Sequence, residues 1–319
     1  MPGNSSYRSA LLIILATACW GGGTVLSKQV LDRGVAPLTL LVIELTASSL
    51  LLGLGALVRG VRVRWSPTLQ KLAWLGVLNP GVAYALGLLG LMSITASMSV
   101  LLWATEPVLI MLLAVFILRE RIALAAMVAV AISLIGVLLV LYQPGASGDA
   151  IGIALTVGAV SACAFYTVLT RRLLLDDGSV EVVLVQQVAA LCFAVVTAAT
   201  VWGTGVAGLG APADLPTFGL AATSGMVYYG LAFWSFIAGL RGLPASVAGS
   251  MYPLIPVFGL AAAYLVGERL SGRQWIGAAI VVLGVAAAAA YHLASDHARS
   301  SGRDGVKATP PSKTRPGTP

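Results

Sequence analysis

Histidine, cysteine and charge are all scarce in this chain, and each scarcity removes a class of function. Its 319 residues hold two histidines, His292 and His297, at the end of the last apolar run and beyond it. No Ser/His/Asp arrangement, paired Asp motif or metal-ligand cluster can be assembled around them, so catalytic residues, a cofactor and a bound metal are not expected. The three cysteines, Cys19, Cys163 and Cys192, lie inside apolar runs without metal-ligand spacing and read as small apolar fillers. Gly21-Gly22-Gly23 lacks the Lys-Ser/Thr that completes a phosphate loop, which argues against ATP-driven work by this chain. Small residues for close helix contact explain the run better. Only 10% of residues are charged, against about 25% in ordinary globular domains. A soluble domain is thereby excluded.

What the chain does have is hydrophobic length. At 58% hydrophobic residues, it carries apolar runs at 10–31, 36–58, 72–92, 95–117, 122–142, 150–170, 180–203, 216–240, 244–266 and 275–293. Each is near the roughly 20 residues that cross a bilayer as a helix. The first run is no cleaved leader, since it is long, contains Trp20 and Lys28, and is followed by nine more. The net charge of +7 suggests nucleic acid until the charges are located. Arg8, Arg59, Arg62, Arg64, Lys71, Arg119, Arg121, Arg171, Arg172, Arg241 and the basic residues after 298 fall on one side of the alternating spans. Lys28, Arg33, Arg269 and Arg273 fall on the other. The heavier side is the cytoplasmic one. Both termini are then expected in the cytoplasm, in a multi-pass protein of the cell inner (plasma) membrane with no nucleic-acid partner.

The chain also repeats itself. Ala96-Ser97, Pro107 and Glu120-Arg121 in the first half return as Ala245-Ser246, Pro256 and Glu268-Arg269, with the same spacing to within one residue. Thr24-Val25-Leu26 returns as Thr167-Val168-Leu169, and Gly136 as Gly284. Five spans per half is an odd number, so the second copy must insert upside down. The expected fold is an all-α integral membrane protein of ten transmembrane helices in two inverted five-helix repeats. Its divisions are a cytoplasmic N-terminus (1–9), a first repeat (10–142), a turn-rich connection (143–149), a second repeat (150–293) and a disordered cytoplasmic tail (294–319).

Ionisable groups at membrane depth mark function more often than not. Two acids lie well inside spans: Glu44, which matches Gln187 in the repeat register, and Glu106, which matches Ile255. Both are candidates for proton coupling, and Glu106 also for substrate binding. Pro107 follows Glu106, and Pro253 and Pro256 stand in the copy; these three are the helix-breaking candidates, expected to free the carbonyls of Trp103, Gly249 and Tyr252. Ser99, Trp103, Glu106 and Ile110 share one helix face. Trp103 matches Tyr252 and Tyr84 matches Phe233. With Trp20 and Tyr166 these mid-span aromatics are the candidate substrate-binding rings, because aromatic faces beside a carboxylate hold an amine by charge and cation–π attraction. Trp65, Trp74, Trp202 and Trp275 sit near span ends, as belt residues do. Glu120-Arg121 and Glu268-Arg269, at span ends, read as pairing or capping groups.

Cys19-Trp20-Gly21, Glu106-Pro107, Leu118-Arg119-Glu120-Arg121, Leu254-Ile255-Pro256-Val257-Phe258 and Gly267-Glu268-Arg269-Leu270 together resemble the EamA family of the drug/metabolite transporter superfamily. The resemblance spans about residues 10–293. It implies ten helices in two inverted repeats, a central cavity lined mainly by spans 1, 3, 4, 6, 8 and 9, and alternating access. It also implies export or import of amino acids, other metabolites or toxic compounds. Members often carry Arg where Glu44 stands. The function read from the sequence is a secondary-active or facilitative exporter of amino acids, amines or organic cations, with a small-molecule substrate, the lipid bilayer and possible protons as partners; a monomer is compatible with it. The alternative is an integral membrane enzyme or receptor, which would bind or convert a ligand without moving it.

Overall fold

A computed structural model describes residues 3–61, 63–91, 93–94, 102–103, 105–122, 124–141, 149–174, 178–205, 210–267 and 271–307. Every element among them is helical: α1 (Gly3–Leu31), α2 (Pro37–Val58), α3 (Pro67–Gly76), a π-helical turn (Val77–Val82), α4 (Ala83–Leu91), α5 (Glu106–Leu118), α6 (Leu124–Leu141), α7 (Ala150–Leu173), α8 (Ser179–Gly203), α9 (Leu215–Gly225), a second π turn (Met226–Leu231), α10 (Ala232–Leu240), α11 (Ala245–Ser250), α12 (Leu254–Leu265) and α13 (Gly272–Lys307). Six stretches are long and apolar enough to cross a membrane: Ser6–Leu31, Pro37–Val58, Ala150–Leu173, Ser179–Gly203, Leu215–Leu240 and Ala245–Leu265. Shorter apolar helices occur at Glu106–Leu118, Met127–Leu139 and Gly272–Ala288.

Local chemistry sets where these helices begin. Pro37, Pro67, Pro107 and Pro216 occupy the first two helical positions of α2, α3, α5 and α9, where a missing N–H costs no helical bond. Ser66 Oγ accepts the Leu69 amide (3.0 Å), Asp149 the Gly152 amide (2.6 Å) and Asp214 the Thr217 amide (2.7 Å), each satisfying an orphan donor. The Thr217 hydroxyl and amide, with Arg33 nearby, hold the Asp214 carboxyl below the usual carboxylate range.

The packing scheme maps onto itself when the halves are exchanged. Helix α1 lies against α12 and α10, as α7 lies against α5 and α4; α2 lies against α9, as α8 lies against α3. The pairs α2–α8 and α6–α13 are their own images. Glycines make the closest crossings. A Cβ on Gly136 would come within 2.7 Å of the Gly277 carbonyl and the Val281 amide, and one on its counterpart Gly284 within 3.0 Å of the Ala129 carbonyl and the Ser133 amide. Helices in lipid associate through such close backbone approach, because burial of apolar surface gains nothing there. The two π turns also fall at equivalent places, joining α3 to α4 and α9 to α10.

The outside is greasy and the inside holds the polar groups. Leu50, Leu54, Leu57, Phe116, Leu265 and Leu283 all point outward, whereas Thr156, Thr167, Gln186, Gln187 and Ser235 are buried. That inversion suits a lipid solvent and is foreign to a water-soluble domain. Trp65, Trp74 and Trp275 are exposed.

Two features differ from the sequence expectation. Helix α13 continues to Lys307 instead of stopping near 293, because an alanine-rich stretch from Ala286 carries strong helix propensity into the polar residues; residues 308–319 lie outside the described set. The register of the second span also moves by one. Gly225 lies on the backbone of Glu44, and its counterpart Gly76 lies on the backbone of Gln186. Gln186, one residue before Gln187, is therefore the packing equivalent of Glu44.

Candidate functional site

The aromatic residues singled out in the sequence converge, and they bring others with them. Trp20, on α1, meets Phe233 edge-on at 5.5 Å between ring centres, and also Phe236 (5.4 Å) and Tyr252 (5.6 Å). Tyr166, on α7, meets Phe233 (6.1 Å) and Phe236 (6.4 Å). Tyr84, on α4, meets Trp103 (6.3 Å), Tyr228 (5.9 Å) and Tyr229 (5.5 Å). Tyr229 stacks on Phe233 at 6.1 Å and closes the network. Each such ring pair contributes about 0.5–1.5 kcal/mol beyond area burial. Trp103 and Tyr252 thus belong to one cluster through Tyr84, Tyr229, Phe233 and Trp20.

The rings close the centre of the molecule. Tyr166, Phe233 and Phe236 are at most 1% exposed. They arise from α1, α4, residues 102–103, α7, the second π turn with α10, and the turn between α11 and α12. Four of the phenols are tied: Tyr84 Oη bonds Tyr228 Oη at 2.9 Å, Tyr166 Oη donates to Gln186 Oε1 at 2.9 Å, and Tyr252 Oη lies 3.3 Å from Thr167 Oγ1. Tyr228, Tyr229 and Phe236 were not among the sequence candidates. The spacing Tyr229, Phe233, Phe236 puts all three on one helical face and could have pointed to two of them.

Glu106 stands at the rim of this cluster, in the first turn of α5, buried, and within electrostatic reach of Tyr252 and Cys163. It has no hydrogen-bond partner among the described residues. The helix N-terminus favours a negative group at that place. Pro107 stands in the first turn of α5, behind the N-cap residue Thr105. The expected shared face with Ser99 involves a residue outside the described set. In the copy, Pro253 lies in the turn Met251–Pro253 that separates α11 from α12, and Pro256 stands in the first turn of α12. The Gly249 and Tyr252 carbonyls, expected to be free, accept the Tyr252 amide (3.1 Å) and the Ile255 amide (2.9 Å). A tightened turn recaptures them, since an unpaired carbonyl in an apolar interior is costly.

Glu44 occupies a separate place. Its Oε1 lies within hydrogen-bond distance of Ser27 Oγ (2.6 Å) and Ser224 Oγ (2.7 Å), and the two serine oxygens lie 2.8 Å apart. Neither serine was legible as a site residue, because hydroxyls are common in apolar helices and only tertiary packing selects these two. Glu120 is a helix cap: its carboxylate accepts the amides of Ala245 (2.9 Å) and Ser246 (3.1 Å) and the Ser246 hydroxyl. It ties the end of α5 to the start of α11. Glu268-Arg269 and Ala96-Ser97 lie outside the described residues, as does most of the 143–149 connection. Groups of three or more His, Cys, Asp or Glu that could hold a metal are absent among the described residues.

Fold and site together define a multi-span membrane protein of two matching repeats around an aromatic centre with two buried acids. The EamA-like transporter family model matches residues 8–142 and again 150–289. The chain belongs to that family, within the drug/metabolite transporter superfamily. A solved structure titled only as a crystal structure of a protein superposes with a TM-score of 0.73 at 21% identity, covering 88% of this chain and 96% of that one. No functionally curated protein matches the sequence.

Proposed function

We propose that this chain moves a small amine-bearing metabolite, an amino acid or an organic cation, out of the cytoplasm by alternating access. Ten crossings, both termini in the cytoplasm and the inner (plasma) membrane complete the reading. One observation carries the substrate class. Among the described residues, the only Asp, Glu, Lys, Arg or His side chains that are buried are two carboxyls, Glu44 and Glu106. A phosphorylated or carboxylate anion needs Arg or Lys at that depth. A cation or zwitterion finds instead one carboxyl beside a wall of aromatic faces. The repeat-symmetric packing supports rocking of one half against the other, and the family supports export.

The test is uptake of labelled amino acids and amines into proteoliposomes, with and without a pH gradient. Saturable flux of amines or amino acids is the expected result. Robust transport of a phosphorylated anion that amines do not inhibit would overturn the reading. Trp103→Ala should weaken the transported amine by about 1–2 kcal/mol through loss of a desolvated cation–π face, roughly a 5–30-fold rise in its inhibition constant. An unchanged constant would remove Trp103 from the binding wall.

The topology is tested separately. In a chain whose exposed Cys192 is replaced by serine, an impermeant thiol reagent added to intact cells should miss Arg64→Cys and reach Ala213→Cys. The opposite pattern would invert the assignment.

A further inference from the structure

Three oxygens from three helices meet at Glu44, and their hydrogens can be counted. Glu44 Oε1 on α2, Ser27 Oγ on α1 and Ser224 Oγ on α9 stand 2.6, 2.7 and 2.8 Å apart, all three pairs within hydrogen-bond distance. Each short O···O contact needs one hydrogen between its oxygens. With Glu44 ionised, two hydroxyl hydrogens must serve three contacts, and one pair of oxygens faces lone pair to lone pair. With the proton on Glu44 Oε1 there are three hydrogens for the three short contacts, and the ring closes: the acid donates to one serine, that serine to the other, and the second back to Oε1, while the Gly23 carbonyl lies at a longer 3.4 Å from Ser224 Oγ. The three short distances are all served by a hydrogen only in the acid.

The surroundings agree. From α1, Thr24 and Lys28 flank Ser27, and the Lys28 ammonium is exposed and held by Asp32 at 3.1 Å. From α8, which packs against α2, come the neutral amides Gln186 and Gln187, the latter accepting from Ser48 at 3.1 Å. From the second π turn come the phenols Tyr228 and Tyr229, both within electrostatic reach. From α9 come Ser224 itself and the Gly225 backbone, while Asp214 and Arg33 are occupied with Thr217 at its far end. None of these neighbours is a cation in contact with Glu44, so an ionised carboxylate there would be buried and uncompensated, at considerable cost. One carboxyl and two hydroxyls also fall short of the six to eight oxygens that calcium takes. In the repeat register the equivalents of Ser27, Glu44 and Ser224 are Thr170, Gln186 and Leu75. The frame is duplicated; the acid is not.

We propose that Glu44, Ser27 and Ser224 form a single proton site that latches the two repeats together, and that losing the proton breaks the Ser27–Ser224 link and lets α1 and α9 part. This deepens the transport reading and rests on it for its role in coupling, but the latch has a readout of its own. Spin labels at Gly22→Cys on α1 and Gly219→Cys on α9, two positions where an added Cβ meets no neighbour, report the separation in lipid nanodiscs, with Cys192→Ser as background. As pH rises, the short-distance population should fall from majority to minority. In Glu44→Gln, whose amide supplies a permanent hydrogen, the short population should persist at every pH. In Ser224→Ala the longer distance should dominate throughout. A pH-dependent shift that survives Glu44→Gln, or no shift in the parent chain, would overturn the proposal. So would recovery of the short distance by sodium at constant high pH, which would make the occupant a metal cation. Loss of amine flux with the distance shift intact would sink the transport reading and leave the proton site standing.

Discussion

Glu106→Gln should abolish transport of an amine-bearing substrate while the protein still folds and inserts. The carboxyl lies at the rim of the ring cluster, in the first turn of α5, with no hydrogen-bond partner among the described residues. Its replacement by an amide of the same shape therefore breaks no described bond that holds the fold. What is lost is the negative charge that a bound ammonium would meet in a dehydrated site. Removing one partner of a buried, hydrogen-bonded charge pair costs about 2–5 kcal/mol or more, a loss of roughly thirty-fold to several thousand-fold at 1.4 kcal/mol per factor of ten. Binding of the transported amine to purified protein, read by calorimetry, separates this from a defect in movement. Wild-type affinity in Glu106→Gln, with unchanged flux, would reduce the residue to packing. Glu44→Gln is the informative companion: it should retain amine binding and lose only the response to pH.

The second large effect is steric. Gly21 on α1 lies so close to α12 that a Cβ there would come within 2.5 Å of the Ile255 carbonyl, 2.6 Å of the Gly259 amide and 2.9 Å of Phe258 Cβ. Two of those contacts are backbone, which cannot swing aside as a side chain can. Gly21→Ala must therefore push α1 from α12, across a contact that joins the two repeats. Overpacking of this kind costs about 1–3 kcal/mol, occasionally more; Gly21→Leu should leave no monodisperse protein. Gly22 supplies the control, since a Cβ at that position meets nothing within 4 Å. Gly22→Ala should match the parent in thermal unfolding, detergent monodispersity and flux. Equal stability of Gly21→Ala and Gly22→Ala would show that the close approach carries no energetic weight.

The class, the membrane setting and the duplication are all legible along the chain. These rest on properties that need no partner: the length of apolar runs, the sidedness of basic residues, and repeated residues at fixed spacing such as Pro107 and Pro256. The sequence also named six of the nine clustered rings, because bulky aromatics far from both ends of an apolar helix have few places to go except inward. Gly21-Gly22-Gly23 was legible as a helix contact, though only packing shows that Gly21 and Gly23 are crowded and Gly22 is free.

The rest belonged to the tertiary structure. Glu44 and Gln187 align in the sequence, yet the helix crossings pair Glu44 with Gln186, since a one-residue shift between α2 and α8 leaves the apolar pattern unchanged. Pro107 looks mid-helix when only its neighbours are counted, but α5 begins at Glu106. The proline at Pro253 frees the Gly249 carbonyl on paper, and the Tyr252 amide recaptures it in the folded turn. Ser27 and Ser224 stand 197 positions apart, and nothing along the chain distinguishes them from other serines in apolar helices. Their meaning comes from three hydrogen-bonding oxygens brought together by three helices, and a local pattern cannot encode a contact whose partners are chosen by how helices cross.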